Sequence, residues 1–208
     1  MKRLILFFLP VGLCTIFFIW LTSGEMPHNM DEDTAPIHGV QPAASTPMSL
    51  ASSELQQGQM APKWMAYDSL GCMSENRSPA LSWAGGPAGT QSYALTMFDP
   101  DAGDGRGWLH WFVLDIPANI TSLAPHAGYE DDSGLPRGAH SVTNSYGKTG
   151  YGGPCPPEGA AAHDYVFTIY AMPNATTAYP LNAIGKPTIN WLAAHAKASA
   201  TFTVTYRR

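Results

Sequence analysis

Between Tyr93 and Ile116 two apolar runs are separated by nine residues, Asp99 to Gly107, that can continue neither of them. The first run, Tyr93-Ala-Leu-Thr-Met-Phe98, has the composition of a buried strand. The second, Trp108 to Ile116, alternates, which puts Trp108, His110, Phe112 and Leu114 on one face and Leu109, Trp111, Val113 and Asp115 on the other. The intervening Asp-Pro-Asp-Ala-Gly-Asp-Gly-Arg-Gly carries a proline that locks φ and three glycines that accept positive φ, so it reads as a turn. The turn also holds Asp99 and Asp101, with His110 just inside the next strand, a grouping of titratable side chains that packing alone does not require.

The same punctuation runs through the chain. With 20 Gly and 18 Pro among 208 residues, many turns between short strands are favoured over long helices. The length, 45% hydrophobic and 13% charged, suits one well-buried domain. A mainly β fold follows.

The N-terminus is organised differently. Met1-Lys2-Arg3 is followed by an uncharged run from Leu4 to Leu21, the basic and apolar regions of an export signal. The run of 18 residues is also just long enough to span a bilayer, so residues 1–24 are expected to be either a signal peptide, ending at Thr22-Ser23-Gly24, or an uncleaved anchor. Leu13 precedes Cys14 where a lipoprotein signal wants a small residue, so Cys14 is read as an ordinary leader residue. Residues 25–46, rich in Pro, Ala, Ser, Thr and acids without apolar periodicity, are expected to be a disordered linker. The folded domain is placed at 47–208.

Losing Lys2 and Arg3 with the leader would take the formal charge from -5 to -7. Such an acidic domain without a basic patch is not expected to bind nucleic acid. Contact with a membrane is expected only through the N-terminal segment if it stays uncleaved. Outside the leader only Cys72 and Cys155 remain, an even pair bound for an oxidising compartment; a disulfide is expected, the alternative being two separate buried thiols.

Along the domain, Met48 to Leu55 reads as a first strand, Ala80 to Trp83 as a short one, and residues 117–145 as loops with little regular structure. Pro187 opens a short amphipathic helix with Ile189, Leu192, Ala193 and Ala196 on its apolar stripe and His195 exposed. Thr201 to Tyr206 alternates as a final strand. Three Asn-x-Ser/Thr matches, at Asn76, Asn119 and Asn174, are read as chance.

A second dense stretch, Asn144 to Gly159, leads into His163-Asp164-Tyr165. Its glycines give backbone N–H groups room to converge on an anion and its prolines stiffen the path; the plainer reading is a loop between strands.

Taken together, Asp99-Pro100-Asp101-Ala102, Trp108-Leu109-His110-Trp111, Gly152-Gly153-Pro154-Cys155-Pro156-Pro157 and His163-Asp164-Tyr165 resemble the phosphatidylethanolamine-binding protein family, in its bacterial Raf-kinase-inhibitor-like branch. The resemblance extends from about Met48 to the C-terminus and includes Ser78 to Trp83 and Asn144 to Gly147. It implies an antiparallel β-sandwich with a few short peripheral helices and a small pocket for phosphoryl or carboxylate groups. Mapped onto this chain, the pocket residues it implies are Asp99, Asp101, His110, Gly152, Gly153, Pro154, His163 and Tyr165, with Asp101 also shaping the turn. The family usually has proline where Gly103 stands and a basic residue where Asp164 stands; a looser turn and a less positive rim are therefore expected.

Function follows as an expectation: an exported, non-catalytic module that binds a small anionic or zwitterionic ligand resembling a phospholipid head group. Asp99 is expected to keep His110 or His163 protonated, so that an imidazolium faces the anion. An enzyme alternative, a hydrolase built on Asp99, Asp101, His110 and His163, lacks both metal-helix spacing and a Gly-x-Ser-x-Gly nucleophile. Neither a metal nor a cofactor is expected. A third reading, a regulator of another protein, would need a partner outside the cytoplasm.

Overall fold

Strands that are apolar on one face need a second layer to cover it, and this chain supplies that layer with a second sheet. The computed structural model describes residues 47–180 and 184–208, with the side chain of Asp104 left aside. The leader and the linker expected before residue 47 lie outside the described residues.

In chain order the strands are β1 (Ser49–Ala51), β2 (Leu81–Ala84), β3 (Ser92–Asp99), β4 (Trp108–Pro117), β5 (Ser122–Leu123), β6 (His140–Ser141), β7 (His163–Met172) and β8 (Ala198–Tyr206), with helix α1 (Lys186–His195) before the last. A small sheet has the order β1-β2-β5 and a larger one β6-β4-β3-β7-β8. Every strand pairing in them is antiparallel. Leu50, Leu81, Trp83 and Leu123 of the small sheet pack with Leu95, Met97, Trp111, Val113, Phe167 and Phe202 of the large one in a shared core. This is the expected sandwich. Two 3₁₀ turns, Lys63–Met65 and Gly103–Gly105, accompany α1 among the described residues.

The large sheet is covered on its other face too. Leu109, Phe112, Leu114, Tyr170 and Met172 form a second cluster with Tyr179 and with Leu192 of α1. Burial on both sides explains why β3 and β4 are buried almost without interruption.

The structure corrects the alternation read for β4. Met97 pairs with Trp111 but Phe98 with Leu109, so one extra residue is accommodated at His110; a second irregularity lies at Asp115, whose φ is 58°. Each bulge shifts the phase of the side chains. Leu109, Phe112 and Leu114 consequently share the outer cluster, whereas Trp111, Val113 and Ile116 enter the core. His110 is thereby turned away from Phe112 and Leu114 and lies edge-on to Tyr165, with ring centroids 5.1 Å apart.

Smaller differences have similar causes. The first strand is only Ser49–Ala51, because the chain then turns so that the Glu54 carboxylate can accept the Ala80 N–H at 2.7 Å and meet Arg77 at 2.9 Å. Residues 117–145 do hold two short strands, β5 and β6. On α1 the buried positions are Thr188 and Leu192, while Ala193 is exposed with His195. Cys72 and Cys155 are bridged.

Candidate functional site

At the end of β3, Asp99 is held by its own turn: its Oδ1 accepts the N–H groups of Asp101 at 2.8 Å and Ala102 at 3.0 Å. Gly103, Gly105 and Gly107 then take φ values of 63°, 82° and 75°, and a Cβ at Gly107 would lie 2.0 Å from the tip of the Phe98 ring, which would have to move. Proline could not adopt the φ of Gly103. The turn is therefore set by its glycines, not loosened by them.

β7 lies antiparallel beside β3, with Phe98 opposite Val166, so the start of β7 reaches the end of β3. Nδ1 of His163 donates to Asp99 Oδ2 at 2.8 Å, and the Asp164 N–H donates to Asp101 Oδ2 at 2.8 Å. Two carboxylates from one loop thus clamp the first residues of a strand 64 positions later. Among the described residues His163 Nε2 makes no hydrogen bond, which leaves it for a ligand.

A cavity of about 400 Å³ opens over this pair, lined by Asp99, Asp101, Trp108, His110, His163 and Tyr165, and closed by Tyr146, Leu70 and the Cys155-Pro156-Pro157 segment. Of the residues expected in a pocket, the structure brings Asp99, Asp101, His110, His163 and Tyr165 together. It does not bring Gly152, Gly153 or Pro154 to the wall. The Gly152 N–H donates to His110 O at 2.9 Å and the Gly153 N–H to Asn76 Oδ1 at 2.7 Å, so the donors expected to cradle an anion are spent inside the protein. Asp164 likewise lies outside the lining, so its charge does not define the wall.

That loop has another task. Its Gly152 carbonyl accepts from His110 Nδ1 at 2.7 Å, which puts the ring proton on Nδ1 and leaves Nε2 as an acceptor when the ring is neutral. His110 is 2% exposed, and burial pulls it down to about 4, against the smaller opposing effects of the Gly152 carbonyl and Asp99. Desolvation outweighs the nearby carboxylate, so the imidazolium expected at this position does not form at neutral pH.

Tyr165 is fully buried, and burial first, then the Asp99 charge, drives its acidity well below that of free tyrosine. Its hydroxyl stays protonated and lies near Asp99, but makes no hydrogen bond of good geometry.

Tyr146 was not singled out by the sequence. Its ring stacks on Tyr67 with centroids 4.2 Å apart and meets Trp108 and His110 edge-on, while its hydroxyl donates to Gly153 O at 3.0 Å. Burial, with Tyr67 and Asp99 adding to it, raises its pKa above the ordinary tyrosine value. Asn144 fixes it in place: buried Oδ1 accepts the Tyr146 N–H at 2.9 Å while Nδ2 donates to Gly150 O at 3.1 Å. Asn76, whose Asn-x-Ser match reads as chance, holds the loop from both sides: its Oδ1 accepts the Gly153 N–H and its Nδ2 donates to Tyr151 O. Asn144, ahead of the glycine-rich run, was the one available signal for Tyr146, and Asn76 carried none.

Among the described residues, no three His, Cys, Asp or Glu side chains converge as a metal set. The wall offers two carboxylates, a hydrogen-bonding histidine pointed by one of them, and aromatic faces.

Comparison with known proteins agrees with this architecture. The family model described as phosphatidylethanolamine-binding protein matches residues 51–207. The UPF0098 protein YbcL of Escherichia coli K12 is 37% identical over 164 residues, covering 79% of this chain and 90% of that protein. Its crystal structure, titled as a new member of the mammalian PEBP family, superposes with a TM-score of 0.73 over 78% of this chain and 99% of that one. A PEBP homologue from Chlamydia trachomatis, 27% identical, gives 0.59 over 78% of this chain and 98% of its own. LppC of Mycobacterium tuberculosis, which carries a lipoprotein name, is 39% identical over 132 residues, 64% of this chain and 59% of that protein. With most of its folded part matched by the family model, the chain belongs to the phosphatidylethanolamine-binding protein family.

Proposed function

We propose that this protein is an exported, non-catalytic binding module whose pocket takes a small phosphoryl or carboxylate ligand, preferably one that is zwitterionic. The carrying observation is the His163–Asp99 pair at the wall of a cavity that also holds the Asp101 carboxylate. With the Gly152 and Gly153 amides engaged elsewhere and His110 neutral, a bare anion would meet two carboxylates and few donors. A ligand bearing an amine satisfies both signs: its cation faces Asp101 and the Trp108 ring, and its anionic oxygen accepts from His163 Nε2. Among the described residues the lining has no Ser, Thr or Lys, and Cys155 is committed to a disulfide, which favours binding over nucleophilic turnover. Export is supported by that disulfide and by the lipoprotein name of LppC.

Calorimetry at pH 6 with inorganic phosphate and O-phosphorylethanolamine tests the reading. O-phosphorylethanolamine is expected to bind tighter than phosphate, and His163→Ala to weaken it about tenfold or more, the worth of one charge-assisted hydrogen bond. Equal weak binding by wild type and variant would remove the assigned site. Release of phosphate from O-phosphorylethanolamine, followed by ³¹P NMR, would convert the module into a hydrolase using His163 and Asp99 as an acid–base pair. N-terminal sequencing of the protein recovered outside the cytoplasm tests export.

A further inference from the structure

A second cavity, of about 710 Å³, adjoins the first and shares Gly103 and Trp108 with it. The two differ in charge. Where the first wall carries Asp99 and Asp101, the second carries Arg106 and Lys186. In a chain with 16 acids against 11 Lys and Arg, two cations on one wall stand out. Neither cation takes part in any ion pair among the described residues. Arg106 donates only its Nε, to Gly103 O at 3.1 Å, which pins the guanidinium stem and leaves the terminal nitrogens unspent. Ser145 accepts the Leu109 N–H at 2.9 Å on its hydroxyl oxygen, so its own proton remains available to a ligand. The rest of the described wall is glycine, Trp108, Ile184, Pro187 and the uncharged Asn144, which lets a chain of methylene or sugar carbons pass without meeting a further charged group there.

We infer that this groove is a second anion subsite of the same ligand-binding surface, so that the physiological ligand is elongated: one phosphoryl or carboxylate group at His163 and a second anionic group at Arg106, Lys186 and Ser145, joined across Trp108. The inference rests on the proposed function for the first half and on the charge of the groove for the second. It extends the ligand from a single head group to a molecule that carries a second anionic group beyond it. The turn Ala102 to Gly107 becomes the divider between the halves, and its three positive-φ glycines are what keep that divider thin.

Linear alkane-α,ω-bisphosphates of three to eight carbons, titrated beside the matching alkyl monophosphates, test this in the full chain. Each exposed ion pair contributes little by itself, so the expected gain of the best bisphosphate over its monophosphate is roughly three- to tenfold. That gain should peak at one chain length, vanish in Arg106→Ala/Lys186→Ala and shrink as salt rises. The double variant touches only exposed side chains, and an unchanged melting temperature would show that it folds. No gain at any length, or a gain that survives the double variant, overturns the second subsite. If instead the monophosphate binds equally well to His163→Ala and only Arg106→Ala/Lys186→Ala abolishes it, the groove alone is the anion site; the bridging ligand is then excluded, and the assignment of His163 fails with it.

Discussion

His110 shows how far a single residue's surroundings can overrule its chemistry. In sequence it stands beside two aspartates and reads as a cation in waiting; in the structure a bulge turns it inward, the Gly152 carbonyl accepts a hydrogen bond from its Nδ1 at 2.7 Å, and burial lowers its pKa from 6.5 to about 4. The consequence for stability has a definite sign. As pH falls below 6.5 the unfolded chain binds a proton at this site, whereas the folded chain does so only near pH 4, so the native state loses stability across that window and not above it. The loss is on the order of 3 kcal/mol if the whole shift is expressed. Urea denaturation between pH 7 and 4 should therefore show a steeper decline for wild type than for His110→Gln, which keeps a donor for Gly152 but cannot titrate. Parallel curves would mean that the ring is not held neutral. Which of the two histidines a ligand meets as a donor was undecidable from spacing, because desolvation depends on neighbours distant in sequence.

Among the elements, the Gly152–Pro154 loop departs furthest from its reading in sequence. Its glycines suggested free amides; they are instead demanded by close packing. A Cβ on Gly153 would sit 2.0 Å from Met65 O and 2.8 Å from Tyr67 N, backbone atoms that cannot rotate away. Gly153→Ala is expected to cost at least about 2 kcal/mol, from overpacking and from loss of the Asn76 contact. Gly159→Ala provides the contrast: φ is 76° but nothing lies within 4 Å, so only the strain of the left-handed backbone remains, about 1 kcal/mol. Chemical denaturation of the two variants should rank them in that order, and the reverse would show the loop to be looser than described. The β3–turn–β4 unit was largely legible, since its apolar runs and Asp-Pro-Asp-Ala turn are local signals. The side-chain faces of β4 were not, because each bulge shifts a period-two pattern by one residue and carries no mark in sequence.

At the scale of the whole molecule, the Cys72–Cys155 bridge ties together loops 83 residues apart, and Cys155 belongs to the pocket wall. Chain-entropy reasoning values such a closure at about 4 kcal/mol, with strain able to reduce it. Cys72→Ala/Cys155→Ala should then melt on the order of 10 °C below wild type, as should wild type under a reductant, in a calorimetric scan. Melting within a degree or two would show that the sandwich holds the loops without the bridge. The sequence by itself determined the mainly β class, the strand–turn–strand around Asp99 and the final helix and strand, because hydrophobic period and turn chemistry are written locally; the sandwich and five of the residues lining the pocket followed from the resemblance to a family. Only the tertiary structure decided which amides of the second loop are free, that Tyr146, Asn144 and Asn76 frame the pocket, that His110 is neutral while His163 is aimed by Asp99, and that a cationic groove adjoins an acidic cavity. Those properties come from burial and from contacts between residues distant along the chain, and neither exists until the two sheets close on each other.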